Sequence, residues 1–296
     1  MNSLKRKLSY NVKKILFKIS EEKTLKLIYL INTHKKLNIK NPTTFNEKIQ
    51  WLKLNWKSNL VVMCTDKYLV REYVKSKGLS GILNELYFVF NDTDEIKWSE
   101  LPASFALKTN NGCKSVVIAK DKNDLNELEV KEKMRAWLDE DFGLYSIEPH
   151  YSQIEPKIIC EKYIENSKGE FPVDYKFFCF NGEPKFLALI DERDSSDNYK
   201  RYFIDLDWNL LNLDKDNNNI SYIPEKPESF DKMIQTARIL ATDFPFVRVD
   251  LYELEKKVVF GELTFTPVSG MATYFTDEAQ LEIGNLIKLP EVLKEY

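Results

Sequence analysis

Two runs constrain this chain more than any other stretch: Val247-Arg248-Val249-Asp250-Leu251-Tyr252 and Val258-Val259-Phe260-Gly261-Glu262-Leu263-Thr264-Phe265. Each is an apolar, Val-, Leu- and Phe-rich run of strand length with an acid planted inside it. The polar residues 253–257 between them suit an exposed hairpin connection. A carboxylate in a buried strand is costly unless a cation meets it. Alternation puts Arg248 and Asp250 on one face of their strand, and Glu262 and Thr264 on one face of theirs. Hard oxygen donors on one face suit a Mg²⁺ that also holds phosphate, which makes Asp250, Glu262 and Thr264 candidate metal ligands. The plainer alternative is a pair of strand-end acids, solvated or salt-bridged. Arg248 beside Asp250 can also be read as a structural ion pair.

A chain of 296 residues can bury a large core divided over two or three lobes. Its net charge of −3 supplies no global basic field for nucleic acid. Cys64, Cys113, Cys160 and Cys179 lack CxxC spacing, and three of them sit in apolar stretches, as reduced core thiols do. His34 and His150 are the only histidines, which leaves little room for a His-based triad or a zinc site. No apolar run reaches transmembrane length, and the basic N-terminus lacks the apolar block of a signal peptide. A cytoplasmic protein is expected.

Residues 1–20 place Leu4, Leu8, Val12, Ile15, Leu16 and Ile19 at helical spacing among Lys5, Arg6, Lys7, Lys13, Lys14 and Lys18. Such a helix either packs its apolar stripe on its own protein or lies on an anionic membrane at the inner face of the cytoplasmic membrane. A second helix is expected around residues 25–31. Thr44 with Glu47 is a capping box, which predicts a helix over residues 45–56. Another should start near Thr65-Asp66-Lys67 and stop before Gly78. Strands are expected at 86–90, 105–109 and 116–119. The polar loop Asn110-Asn111-Gly112-Cys113-Lys114-Ser115 then forms either a phosphate-holding flap or a plain hairpin turn. Residues 123–139 read as a helix, and 157–164 as a strand running into a linker. Residues 172–180 and 184–190 read as strands joined by Asn181-Gly182, the strongest short hairpin signal in the chain. Asp174 and Lys176 share a face, as an ion pair would. Arg193, Lys200 and Arg201 could meet an anionic substrate, residues 214–219 read as a surface loop, and residues 229–240 as a helix.

In order, Pro42-Thr43-Thr44-Phe45-Asn46-Glu47-Lys48, Asp66-Lys67-Tyr68, Asp174 to Gly182, Arg248 to Tyr252 and Gly261 to Phe265 resemble the TupA-like branch of the ATP-grasp superfamily, from about Thr43 to Pro290. The resemblance implies an α+β fold in which two α+β lobes grip ATP. It divides the chain into a helical segment (1–60), a first lobe (61–160) and a second lobe with the metal site (161–296). By the same resemblance, Lys67 and Lys108 reach the nucleotide phosphates, and the segment containing Glu161, Lys162 and Ile164 pairs its backbone with adenine. Asp174 takes the ribose hydroxyls, Lys176 faces phosphate, Asp250 and Glu262 bind Mg²⁺, and Arg248 steadies the acyl-phosphate. Thr264 stands where most relatives have Asn, and the flap has a single Gly.

The implied activity is an ATP- and Mg²⁺-dependent carboxylate–amine ligase that forms an amide through an acyl-phosphate. Its substrate is a small molecule or a precursor of bacterial surface polysaccharide, such as capsule or cell wall. One rival is a metal-dependent glycosyltransferase using a nucleotide sugar, with Asp250 and Glu262 on the diphosphate. Another is a nucleotide-sensing scaffold with degraded catalysis.

Overall fold

Two antiparallel sheets facing one cleft organise the molecule. The computed structural model describes residues 12–13, 15–17, 19–166, 171–191, 200–215 and 223–296. Helices α1 (Glu21–Thr33) and α2 (Phe45–Asn55) come first, followed by the two-residue strand β1 (Trp56–Lys57) and helices α3 (Asn59–Thr65) and α4 (Val70–Ser76). Strands β2 (Leu86–Phe90), β3 (Phe105–Thr109) and β4 (Val116–Ala119) precede helices α5 (Glu127–Leu138) and α6 (Phe142–Ser146) and strand β5 (Ile158–Glu161). Then come β6 (Asp174–Phe180), β7 (Glu183–Asp191), β8 (Lys200–Asp205), α7 (Phe230–Ala241), β9 (Phe246–Leu254), β10 (Lys257–Thr264), α8 (Asp277–Leu286) and β11 (Leu293–Lys294). The smaller sheet runs β2-β5-β3-β4 and the larger β10-β9-β6-β7-β8, while β1 and β11 pair in parallel. Among the described residues no helix is long and apolar enough to cross a membrane.

Local chemistry accounts for most of these boundaries. Thr44 caps α2 with the capping box complete, so both side chains satisfy backbone donors at the helix start. The helix expected from residue 65 begins later, at Val70, because the Asp66 carboxylate accepts from the backbone of Tyr68 and Leu69 and ends the preceding turn. Asn181 and Gly182 turn β6 into β7 with φ of 51° and 85°, the left-handed pair that a two-residue hairpin requires. The β9–β10 turn narrows to Glu255 and Lys256, also left-handed at 48° and 63°, without a glycine.

The larger sheet has a core packed on each face. Phe177, Val247, Val249 and Leu251 point to one side, where Phe230, Met233, Ala237 and Leu240 of α7 cover them. Val61, Cys64, Val70, Tyr73 and Val74 from α3 and α4 join the same core. On the other side Phe178, Phe180 and Phe246 pack against Phe45 and Ile49 of α2 and Ala279 and Ile283 of α8. The Phe45 ring centroid lies 5.2 Å from that of Phe246, at 72°. Burying a side chain of this size contributes about 2–3 kcal/mol, so this end of the sheet is firmly anchored. The smaller sheet has its own core of Phe105, Leu107, Val130, Met134, Ile158 and Cys160 beneath α5. All four cysteines are free thiols.

Candidate active site

Three adjacent strands carry the first half of the site. In the register of β6, β9 and β10, Lys176 lies opposite Asp250, Asp250 opposite Glu262, and Arg248 opposite Thr264. Directly opposed residues share a face, so one row of charge crosses the sheet. The register shifts between Phe260 and Glu262, a bulge centred on Gly261. A Cβ at Gly261 would stand 2.9 Å from the Asp250 carbonyl oxygen and 2.9 Å from the Tyr252 ring. Only glycine lets the two backbones approach so closely, and the bulge aims Glu262 beside Asp250.

The side chains interlock. Arg248 donates Nε to Asp250 Oδ1 and Nη2 to Asp250 Oδ2, both at 2.7 Å. Lys176 Nζ donates to Asp250 Oδ2 at 2.6 Å and lies 3.1 Å from Asp174 Oδ2. Arg248 Nη2 also donates to Thr264 Oγ1 at 3.0 Å and sits 3.4 Å from Glu262 Oε1, and Thr264 donates to Glu262 at 3.1 Å. The row runs from dry to wet, with the Asp250 side chain 1% exposed and that of Glu262 41%. Burial alone would push Lys176 down, but the charges of Asp250 and Asp174 outweigh it and raise its pKa. Burial likewise opposes the charge on Asp250, yet Arg248 and Lys176 hold its carboxyl below the usual range. The Tyr252 phenol is pushed well up by burial and by the charges of Asp174, Glu262 and Asp250.

The smaller sheet and the loops around it supply the opposite wall. A cleft of about 1100 Å³, counting its open mouth, is lined by Lys67, Arg71, Lys108, residues 161–164, Tyr252 and Glu262. Lys108 Nζ lies 2.7 Å from Glu161 Oε2, and Arg71 lies 3.3 Å from the other oxygen. Lys67 Nζ donates to the Gly112 carbonyl of the flap, whose base is closed by Thr109 donating to Ser115 at 2.8 Å. Lys162 gives its N–H to the Glu85 carbonyl at 2.9 Å and its own carbonyl accepts from Asn84 at 2.8 Å. Ala106, Val116, Ile118, Tyr163 and Ile164 add apolar surface.

A second cleft, about 1320 Å³ with its mouth, lies behind the flap. Asn111, Trp137, Glu140, Phe142 and Tyr145 line it, and Lys114 and Ser115 belong to both clefts. The flap is the partition: a Cβ on Gly112 would meet the Phe142 ring at 3.3 Å. At the rear, buried Glu148 accepts from Thr266 and, at 3.0 Å, from Ser269, while Lys53 Nζ donates to the Ser269 carbonyl at 3.0 Å. These bonds hold a turn in which Val268, Ser269 and Gly270 all have positive φ.

Of the candidates read from the sequence, Lys67, Lys108, Glu161, Lys162, Ile164 and Glu262 line the nucleotide-sized cleft. Asp174, Lys176, Arg248, Asp250 and Thr264 form the hydrogen-bonded row that ends at Glu262. Arg201 is elsewhere. Its guanidinium lies 2.5 Å from Asp214 and 3.8 Å from the centre of the Tyr274 ring, so it is committed to that ion pair. Asp214, expected in a surface loop, is buried for the same reason; residues 216–219 of that stretch, Arg193 and most of the N-terminal basic helix lie outside the described residues. Sequence reasoning missed Arg71, Tyr252, Glu148 and the bulge at Gly261. A Gly inside a strand pattern was a readable bulge signal, and Arg71 stands four residues after Lys67, one turn on in the helix expected from residue 65.

The donor set fits Mg²⁺ arriving with a nucleotide. Asp174, Asp250 and Glu262 are three carboxylates facing two cations, Lys176 and Arg248, so the row is short of positive charge. Among the described residues no group of three or more His, Cys, Asp or Glu is gathered to hold an ion by itself. Mg²⁺ is commonly held by one or two carboxylates with phosphate oxygens completing the shell.

Residues 47–288 match the TupA-like ATP-grasp family, and the chain belongs to it. It is therefore an enzyme of the ATP-grasp ligase class, with ATP and Mg²⁺ as its cofactors. No curated protein matches the chain. Similar solved structures include the D-alanine–D-alanine ligase of Bacillus anthracis complexed with ATP, at 14% identity and TM-score 0.49, covering 78% of this chain and 67% of that one. The D-alanine–D-alanine ligase of Helicobacter pylori is 14% identical, with TM-score 0.45 and coverage of 85% and 68%. The L-amino acid ligase of Bacillus licheniformis is 13% identical, with TM-score 0.48, covering 77% of this chain but 51% of that one. The family assignment rests on the family match.

Proposed function

We propose that the protein joins a carboxylate to an amine using ATP, and that one of the two substrates is a bacterial surface-polysaccharide precursor. The observation that carries this reading is the pair of clefts meeting at one flap, with Lys67 and Lys108 in the first and Lys114 in both. A nucleotide in the first cleft would set its phosphates among Lys67, Lys108 and Lys176, its ribose hydroxyls toward Asp174, and its adenine along the backbone of residues 161–164. Asp250 and Glu262, with Thr264, would hold Mg²⁺, which neutralises phosphate oxygens as charge develops. The second cleft would take the carboxylate substrate. Its aromatic rings beside amide, hydroxyl and carboxylate groups are a lining that suits a polyhydroxylated ring.

The chain's residues then act mainly by position and charge. A substrate carboxylate oxygen attacks the γ-phosphorus; that O–P bond forms as the bond to ADP breaks. Arg248, held flat by Asp250, faces the resulting acyl-phosphate. The amine adds to the carbonyl carbon and loses a proton, and phosphate leaves with the C–O electron pair. A fixed guanidinium is suited to the oxyanion that forms between those two steps.

Thermal unfolding tests the nucleotide choice: ATP with Mg²⁺ should raise the melting temperature, and UDP- or GDP-sugars should do so poorly. A larger shift with a UDP-sugar would transfer the site to a glycosyltransferase. ADP release stimulated by a sugar acid with an amino acid tests the chemistry. ATP binding without ADP release under any such pair would leave a nucleotide sensor.

A further inference from the structure

Residues 1–40 carry eleven Lys and Arg against two Glu, although the whole chain is net −3. Six of the sixteen exposed large apolar side chains among the described residues (Val12, Ile15, Ile19, Leu27, Leu30 and Ile31) fall within residues 12–31. Helix α1 is apolar on two sides. Leu25 and Tyr29 are buried with Ile28 packed beside them, which fastens the helix to the protein. Lys23, Leu27, Leu30 and Ile31, at spacings i, i+4, i+7 and i+8, form the opposite face, and all four are exposed. His34 and Lys36, also exposed, follow at its C-terminal end, where Lys35 is paired with Asp277 at 2.6 Å. The two acids of this region are neutralised locally: Glu21 lies 2.7 Å from Lys57, and Glu22 lies 2.6 Å from Lys26. Ile28 and Asn32, further round the same helix, line the cleft behind the flap, as does Lys13.

We propose that the outer face of α1, with the basic residues that flank it, rests on an anionic lipid surface. An exposed aliphatic stripe edged by Lys is the arrangement that buries apolar side chains among acyl chains while its charges meet phosphate headgroups. A contiguous exposed stripe of this kind is uncommon on a protein that stays free in solution. Self-association would cover the same stripe but would bring two strongly basic segments together, which like charge opposes. The same helix seats the face and lines the second cleft, so the bilayer would lie beside the cleft mouth. On the functional reading above, this admits a precursor that is itself anchored in the membrane.

Co-sedimentation of the full chain with phosphatidylglycerol–phosphatidylcholine vesicles, and with phosphatidylcholine vesicles alone, tests the proposal. The protein should pellet with the anionic vesicles, only weakly with the neutral ones, and less as salt is raised. The double substitution Leu30→Glu, Ile31→Glu should lower partitioning by about tenfold or more, because both side chains leave the stripe. Its melting temperature, and the rise that ATP with Mg²⁺ produces, should match the parent's, which separates lipid binding from folding and from nucleotide binding. Equal partitioning onto both vesicle types, no partitioning at all, or an unchanged double variant would overturn the proposal. So would a concentration-dependent doubling of mass that the double variant abolishes, since the occupant would then be a second copy of the chain.

Discussion

One face of the larger sheet has two ends of opposite character, built from the same strands. On β6 the inward residues read Asp174, Lys176, Phe178, Phe180; on β9 they read Phe246, Arg248, Asp250, Tyr252. A single step along the strand passes from an ion-pair network to a cluster of rings, as Phe178 opposes Arg248 in the register. The aromatic end is closed by α2 and α8 and has Phe45, Phe178, Phe180, Phe203 and Phe246 almost wholly buried. The charged end borders the cleft and opens to it at Glu262. The comparison shows how the site is made stiff. The rings fix the strands, and strands so fixed hold Arg248, Asp250 and Lys176 where water cannot easily replace their mutual bonds.

The largest effect should come from removing the one residue that both cations share. Asp250→Ala leaves Arg248 and Lys176 beside each other without their common carboxylate, and breaking a buried pair this way costs about 3–5 kcal/mol. It also removes a candidate Mg²⁺ ligand. Turnover should vanish, and the urea midpoint should fall markedly. Undiminished ADP release from a folded variant would show that the charged end is structural.

Phe178→Ala should cost a comparable amount of stability, about 3–5 kcal/mol, through the aromatic end alone. Binding of ATP by the folded fraction should be little changed, because Phe180, Phe186 and Phe246 still hold the strands together. Chemical denaturation beside calorimetry checks both statements. A large loss of ATP affinity at unchanged stability would mean that the two ends are not separable in the way described.

Arg248→Lys keeps a charge in the row but loses the planar fork that grips both Asp250 oxygens. ATP affinity should stay close to the parent's while kcat falls at least about a hundredfold, the scale of losing one oxyanion donor. Near-normal turnover would return Arg248 to a purely structural role, and so would the loss of folding and ATP binding together.

The smallest effect near neutral pH concerns His150, beside the aromatic end. His150 shares a small cavity with Lys53 and Phe246, and burial followed by the nearby Lys53 charge lowers its pKa to about 3. An unfolded histidine titrates near 6.5, so between these values the unfolded chain binds the extra proton. His150 therefore costs no stability above about pH 6.5, and stability is lost as pH falls from there toward about 3, at up to about 1.4 kcal/mol per pH unit. His150→Gln should flatten that part of a stability–pH curve measured by urea midpoints. An unchanged slope would show that His150 reaches water.

Much of this was legible beforehand, for definite reasons. Capping chemistry at Thr44 and Glu47 needs only neighbouring residues, and it placed α2 correctly to within a residue. Asn181-Gly182 marked its hairpin because few residues adopt two successive left-handed conformations cheaply. Strands β2, β3 and β4 stand at their expected residues. Strand β8 was not foreseen, since Lys200-Arg201-Tyr202-Phe203-Ile204-Asp205 is short and charged at both ends. Arg201 looked available to an anion because nothing local announces Asp214, thirteen residues on, as its partner.

The alternation along each strand was enough to determine that Asp174 accompanies Lys176, that Arg248 accompanies Asp250, and that Glu262 accompanies Thr264 on a face. These are consequences of a two-residue period and require no knowledge of the rest of the chain. Tertiary structure alone decided that β6 lies between β9 and β7, so that Lys176 reaches Asp250 across 74 residues of chain. It also decided that a bulge at Gly261 carries Glu262 to the rim of the cleft and that the flap divides two clefts. Strand order and register come from burying the faces of the whole sheet at once, and that balance is written in no single stretch of residues.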